Sequence, residues 1–127
     1  MVIGLGTDIA DIARVADVYD STGDGFVDRI LTETEKTKIP RNPKLIPAYL
    51  AKRFAVKEAA AKALGTGITG GVSFLDFTTI HNEVGAPTLV VTGKAAELAQ
   101  QKNITSWHVS ISDEAAYAVA TVIAEGD

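Results

Sequence analysis

Between Pro47 and Gly65 the chain reads AYLAKRFAVKEAAAKAL, a stretch rich in alanine, lysine and leucine with no glycine or proline inside it. Strong helix formers bounded by a helix-starting proline and a helix-ending glycine predict one long helix over Ala48–Leu64, with Gly65 as its carboxy-terminal cap. At 3.6 residues per turn Val56, Ala60 and Ala63 face a core, whereas Glu58 and Lys62 sit one turn apart on the other side and Arg53 and Lys57 form a second i,i+4 pair on the flank. The helix alone leaves two meanings open. A solvated face would make Glu58 and Lys62 a surface ion pair contributing a few tenths of a kcal/mol, and a binding face would use the same charges on a ligand.

Charge distribution bears on that choice. Residues 36–63 hold eight of the chain's twelve basic side chains (Lys36, Lys38, Arg41, Lys44, Lys52, Arg53, Lys57, Lys62) and a single acid, Glu58, although the net charge is −4. The first 35 residues invert this, with eight acids against Arg14 and Arg29. A lone carboxylate among bases points to a polyanion site with a metal ligand beside phosphates. Zero cysteines and two histidines in unrelated contexts exclude disulfides and make zinc a poor candidate, so an oxygen-ligated metal, magnesium foremost, is expected. The acidic balance and the local extent of the basic segment argue against a nucleic-acid partner. No apolar run reaches the roughly 20 residues of a membrane span, and the start lacks the layout of a signal peptide, so a cytoplasmic protein with no membrane partner is expected.

The remaining segments alternate between strand and helix patterns with no repeat or linker, which predicts one domain over residues 1–127. Val2–Ile9 reads as a strand with Asp8 near its end, followed by a short helix over Ile12–Tyr19 and one or two short helices over Phe26–Lys38. Pro40, Pro43 and Pro47 mark an irregular basic loop. Ser73–Asn82 and Pro87–Thr92 read as a hairpin turning at Gly85, Lys94–Lys102 as a helix, and Ser106–Ser112 and Ala116–Ala124 as two more strands. Along the first of these Trp107, Val109 and Ile111 share one face and His108, Ser110 and Ser112 the other. Short turns between strands favour an α+β domain, an antiparallel sheet with the long helix packed on it.

Two motif matches fail on context. Gly65-Thr-Gly-Ile-Thr-Gly70 fits a dinucleotide-binding string, but it closes a helix instead of joining a strand to one, so it is either a cap and turn or a set of amides facing a phosphate. His108 in a serine-rich strand lacks both the nucleophile elbow and the partner carboxylate of a hydrolase triad.

Three motifs in order, GLGTDIADIARV, RFAVKEAAAKALGTGI and WHVSISDEAAYAVA, resemble those of the bacterial holo-(acyl carrier protein) synthases, short trimeric phosphopantetheinyl transferases, over nearly the whole chain. The resemblance implies the 4'-phosphopantetheinyl transferase fold. It also implies transfer of 4'-phosphopantetheine from coenzyme A to a carrier-protein serine, with magnesium as cofactor, release of adenosine 3',5'-bisphosphate, and a homotrimer with sites between subunits. Position by position, it puts the magnesium carboxylates at Asp8 and Glu58 and the pyrophosphate lysine at Lys62. Coenzyme A phosphate contacts fall at Lys44 and Arg53, and the turn beside the nucleotide at Gly65, Thr66 and Gly67. His108 matches a histidine that either contacts the nucleotide or assists the chemistry. Asp8, Glu58, Lys62 and His108 are thus the expected catalytic set.

Three departures stand out against the family pattern. Ser112-Asp113 replaces a frequent Ser-His, and Ala86 occupies a turn position where lysine is common. The first helix offers Arg14 amid Asp11, Asp17, Asp20 and Asp24 where several bases are usual. An acidic helix would repel a strongly acidic free-standing carrier, so a less acidic partner, such as a carrier domain of a fatty acid or polyketide synthase, is expected. The competing class is a trimer that binds coenzyme A or another adenine nucleotide without catalysis.

Overall fold

The computed structural model describes residues 1–127. Its central element is a helix, α4 (Ile46–Leu64), begun by Pro47 in its first turn and stopped by Gly65. Gly65 adopts φ 92°, a left-handed conformation that costs glycine little, and its N–H donates to the carbonyls of Ala61 and Lys62. The strand β1 (Val2–Asp11) leads into α1 (Ile12–Thr22), which Asp11 caps by accepting from the Arg14 N–H. Two short helices follow, α2 (Asp24–Ile30) and α3 (Glu33–Lys36), then a 3-10 turn over Pro43–Leu45 that enters α4. The hairpin β2 (Phe77–His81) and β3 (Pro87–Val91), the helix α5 (Gly93–Gln101), and the strands β4 (Ile104–Asp113) and β5 (Tyr117–Gly126) complete the chain.

Element types agree with the sequence expectations; two details differ. Ser73–Asp76 is not strand: Ser73 and Asp76 form a reciprocal capping box on a 3-10 turn, so pairing begins only at Phe77. The strands form two antiparallel sheets instead of one, β1-β5-β4 and β2-β3. Strand alternation is as expected, with Trp107, Val109 and Ile111 packed against the core and His108 exposed. No helix is long and apolar enough to cross a membrane.

The inner face of the three-stranded sheet lies on α4 closer than ordinary side chains permit. A methyl group added to Gly4 would sit 1.8 Å from the Ala63 carbonyl oxygen, and one added to Gly6 would sit 1.9 Å from that of Ala59. Small residues on both partners, Gly4, Gly6 and Ala10 against Ala59, Ala60 and Ala63, make a backbone-to-backbone seam. Buried Ala118, Ala120, Val122 and Ala124 of β5 extend it. The other side of α4 packs on larger groups, including Phe54 between Phe26 and Phe74 at centroid distances of 6.4 and 5.5 Å.

Gly6→Ala is therefore expected to destabilise the protein by about 3 kcal/mol, the upper range for overpacking a core. The obstructing atoms are backbone and cannot rotate away. Urea unfolding checks this, and a midpoint within error of the parent would show that the seam yields.

Candidate active site

Asp8 follows the glycine seam by two residues, so it points to the same face as Gly4 and Gly6 and emerges where α4 presents Glu58 and Lys62. The Lys62 ammonium donates to the Thr7 carbonyl at 2.9 Å and lies 3.2 Å from Asp8 Oδ1. Lys62 thus turns to the strand instead of pairing with Glu58, its neighbour one turn away. The Glu58 carboxyl is pushed above the usual carboxylate range, first by partial burial and then by the negative charge of Asp8, with Lys62 opposing both. Two carboxylates that repel each other supply oxygen donors suited to magnesium, which keeps several waters and takes few protein ligands, and the Lys62 ammonium stands beside them. No third ligating side chain joins them.

A second polar region occupies the opposite side of α4. Arg53 precedes Glu58 by five positions, roughly 140° around the helix axis, and lines a cavity of about 560 Å³. Lys38 and Lys52, the hairpin residues His81, Gly85 and Pro87, and Ile111 and Asp113 of β4 share its wall. Asp113 is thus one carboxylate among cations. His81 is held below the usual histidine range by desolvation and by the charges of Arg53 and Lys52. Motif reading singled out Arg53 here, and Asp113 as a departure from the family pattern; the signal for Lys38 and Lys52 was their membership of the basic segment.

Other expected site residues are placed differently. Lys44 is exposed on the 3-10 turn and does not line the cavity. His108 lies on the outer face of the three-stranded sheet, its Nε2 2.9 Å from Glu125 Oε1, away from the side where Asp8 meets α4. The N–H groups of Gly65, Thr66 and Gly67 all donate to the Ala61 carbonyl, so the turn spends its donors on capping the helix. Lys57 is not a flank residue: it is fully buried against Glu35, and Arg53 is 5% exposed. Lys36 is likewise engaged, 2.6 Å from Asp28 and 3.1 Å from Glu33.

Comparison with known proteins gives one family. The family model described as 4'-phosphopantetheinyl transferase superfamily matches residues 4–122. The chain is 56% identical over 124 residues, 98% of each protein, to the holo-(acyl-carrier-protein) synthase of Photobacterium profundum. Among solved structures, the holo-(acyl-carrier-protein) synthase of Neisseria meningitidis superposes with a TM-score of 0.89 at 40% identity, covering 98% of this chain and 99% of that one. The Helicobacter pylori enzyme in complex with coenzyme A does so with a TM-score of 0.83 at 31% identity, covering 95% and 99%.

Because its carboxyl binds a proton more tightly folded than unfolded, Glu58 costs stability as pH rises through the carboxylate range, and the cost is complete at neutral pH. Glu58→Gln should therefore stabilise the metal-free protein at pH 7 by up to about 1 kcal/mol after allowance for solvent screening, with the advantage vanishing at low pH. Added magnesium should raise the melting temperature of the parent more than that of the variant. Thermal melts across pH check both, and a variant less stable than the parent at pH 7 would contradict the repulsion.

Proposed function

The chain belongs to the holo-(acyl carrier protein) synthase family of 4'-phosphopantetheinyl transferases, and on that premise we propose that it transfers 4'-phosphopantetheine from coenzyme A to a serine of an apo acyl carrier protein or carrier domain. The whole chain acts as one transferase domain, and adenosine 3',5'-bisphosphate is the other product. Convergence of Asp8, Glu58 and Lys62 from β1 and α4 is the observation that carries this reading. Coenzyme A binding by the Helicobacter pylori relative agrees with it.

In this reaction the serine oxygen bonds to the pyrophosphate phosphorus that bears the pantetheine, and the bridging bond to adenosine 3',5'-bisphosphate breaks. The difficulty is negative charge and alignment more than covalent assistance. Lys62, held at the Thr7 carbonyl, places a cation beside that charge. Asp8 and Glu58 would hold magnesium, which when bound neutralises pyrophosphate oxygens. Glu58, its carboxyl already above the usual range, is the side chain of the cluster suited to take the serine proton. Arg53, Lys38 and Lys52 give the nucleotide end of coenzyme A a cationic cavity.

The cavity and the carboxylates open on different sides of α4, and His108 lies on a third surface. A site completed by a neighbouring subunit accounts for this separation, and we propose a homotrimer. Its support is the outer face of the three-stranded sheet, where Leu5 is 64%, Ile9 62% and Tyr117 48% exposed on the face that also carries His108. An apolar face of this kind is the usual mark of an interface. Sedimentation should show a trimer, and Ile9→Glu should yield a folded, inactive monomer; an active monomer at assay concentration would refute the shared site.

On α1 Val15 is buried, so the exposed groups available to a carrier are Arg14, Val18 and the acids Asp17 and Asp20. Mass spectrometry of apo carriers incubated with coenzyme A and magnesium tests the activity directly. We expect conversion of a weakly acidic carrier domain to exceed that of a strongly acidic free-standing carrier, and Asp17→Lys with Asp20→Lys to reverse the order. Asp8→Ala should lower transfer by about a hundredfold or more, the cost of losing a metal ligand. Coenzyme A binding without any mass shift on either carrier would leave only the non-catalytic alternative.

A further inference from the structure

Behind the wall of the cavity lies a buried ionic cluster that none of the steps above uses. Glu35 is 1% exposed and Lys57 fully buried, with Lys57 Nζ 2.6 Å from Glu35 Oε1. Glu35 Oε1 also accepts from the Thr32 N–H at 3.0 Å, and Oε2 accepts from the Thr79 N–H at 3.0 Å. The ammonium donates further to the carbonyls of Phe74 and Phe77. Arg53 stands beside this pair: its Nε is 3.9 Å from Glu35 Oε2, too far for a hydrogen bond, and has no other partner. Its guanidinium lies 4.6 Å from the centre of the Tyr49 ring, and the residue lines the cavity.

Charge accounting gives this arrangement a consequence. One carboxylate faces two cations, and the closer cation, Lys57, is the one with no access to the cavity. Lys57 neutralises Glu35 from behind and leaves Arg53 with an unmatched positive charge at the wall. Were Lys57 absent, the buried carboxylate would claim the only other cation in reach, because an unpaired buried charge is far costlier than a paired one. The Arg53 guanidinium would then close the 3.9 Å gap and be neutralised.

We propose that Lys57 is a positioning residue for coenzyme A binding: by satisfying Glu35 it keeps the Arg53 guanidinium free for a phosphate of coenzyme A in the cavity. This rests on the proposal that the cavity receives the nucleotide end of that substrate. Tyr49 contributes by stacking under the guanidinium and by donating its hydroxyl to the Glu35 carbonyl at 2.5 Å, which ties the ring to α3, the helix that carries Glu35. The role differs from that of a structural ion pair in one respect. A structural pair is lost when both partners are removed, whereas a neutralising partner is dispensable once the charge it neutralises is gone.

Titration calorimetry with coenzyme A on the full-length parent and four variants tests this. Arg53→Ala should weaken binding tenfold or more; unchanged affinity would show that the cavity does not receive the phosphate and would remove the premise. Lys57→Met should weaken binding by a similar factor, and adding Arg53→Ala to it should cost less than threefold more. Glu35→Gln with Lys57→Met should return affinity to within threefold of the parent. Affinity in that double variant as low as in Lys57→Met, or parent-like affinity in Lys57→Met itself, overturns the proposal. If Lys57→Met does not fold, the double variant decides with Arg53→Ala added to it: parent-like binding that then falls tenfold supports the role, and weak binding before that addition overturns it.

Discussion

The site depends on a contact between two backbones. Gly4 and Gly6 allow β1 to touch the carbonyl oxygens of Ala63 and Ala59, and that distance fixes where Asp8 emerges relative to Glu58 and Lys62. Any side chain on this seam would lift the strand from the helix and carry Asp8 with it. The alanines of α4 serve the same end, since they fill the interface without pushing it apart. Fold stability and site geometry therefore share one set of residues.

Charge is organised on the same helix by burial. Of the cations between residues 36 and 63, Lys57 is neutralised inside the core and Lys36 is paired at the surface, so the cationic wall that faces solvent is narrower than the composition implies. Glu35, bound by the Thr32 capping box and by the Thr79 amide, ties α3, α4 and the β2-β3 hairpin together. An acid from the negatively charged first segment thus braces a cavity whose cations Lys38, Lys52 and Arg53 come from the positively charged one.

The two faces of the three-stranded sheet have opposite duties. Its inner face is spent on α4, and its outer face carries apolar side chains with His108 among them. A single chain leaves this outer face in water and keeps the carboxylate cluster apart from the cavity. The homotrimer proposed above would bury the first and bring the second pair together, which gives a chain of this size a physical reason to associate.

Local chemistry made much of this legible in the sequence. Proline and glycine bracketed α4 and alternation marked β1, β4 and β5, because capping and periodicity are short-range properties; the resemblance to family motifs pointed to Asp8, Glu58 and Lys62, which the fold brings to one place. Three things required the fold. Lys57 read as a flank residue, since helical periodicity gives an angle around the axis and not the identity of what packs there; Glu35, twenty-two residues away, decided it. The start of β2 at Phe77 depended on a capping box between Ser73 and Asp76, and the division of the strands into two sheets on which strands pair across the fold. The cavity draws Lys38, Lys52, His81 and Asp113 from four separate elements or loops, so no window of sequence contains it. What the sequence determined is the chemistry available, and what the tertiary structure decided is which charges are spent inside the core and which are left to meet a substrate, because burial is a property of contacts between distant segments.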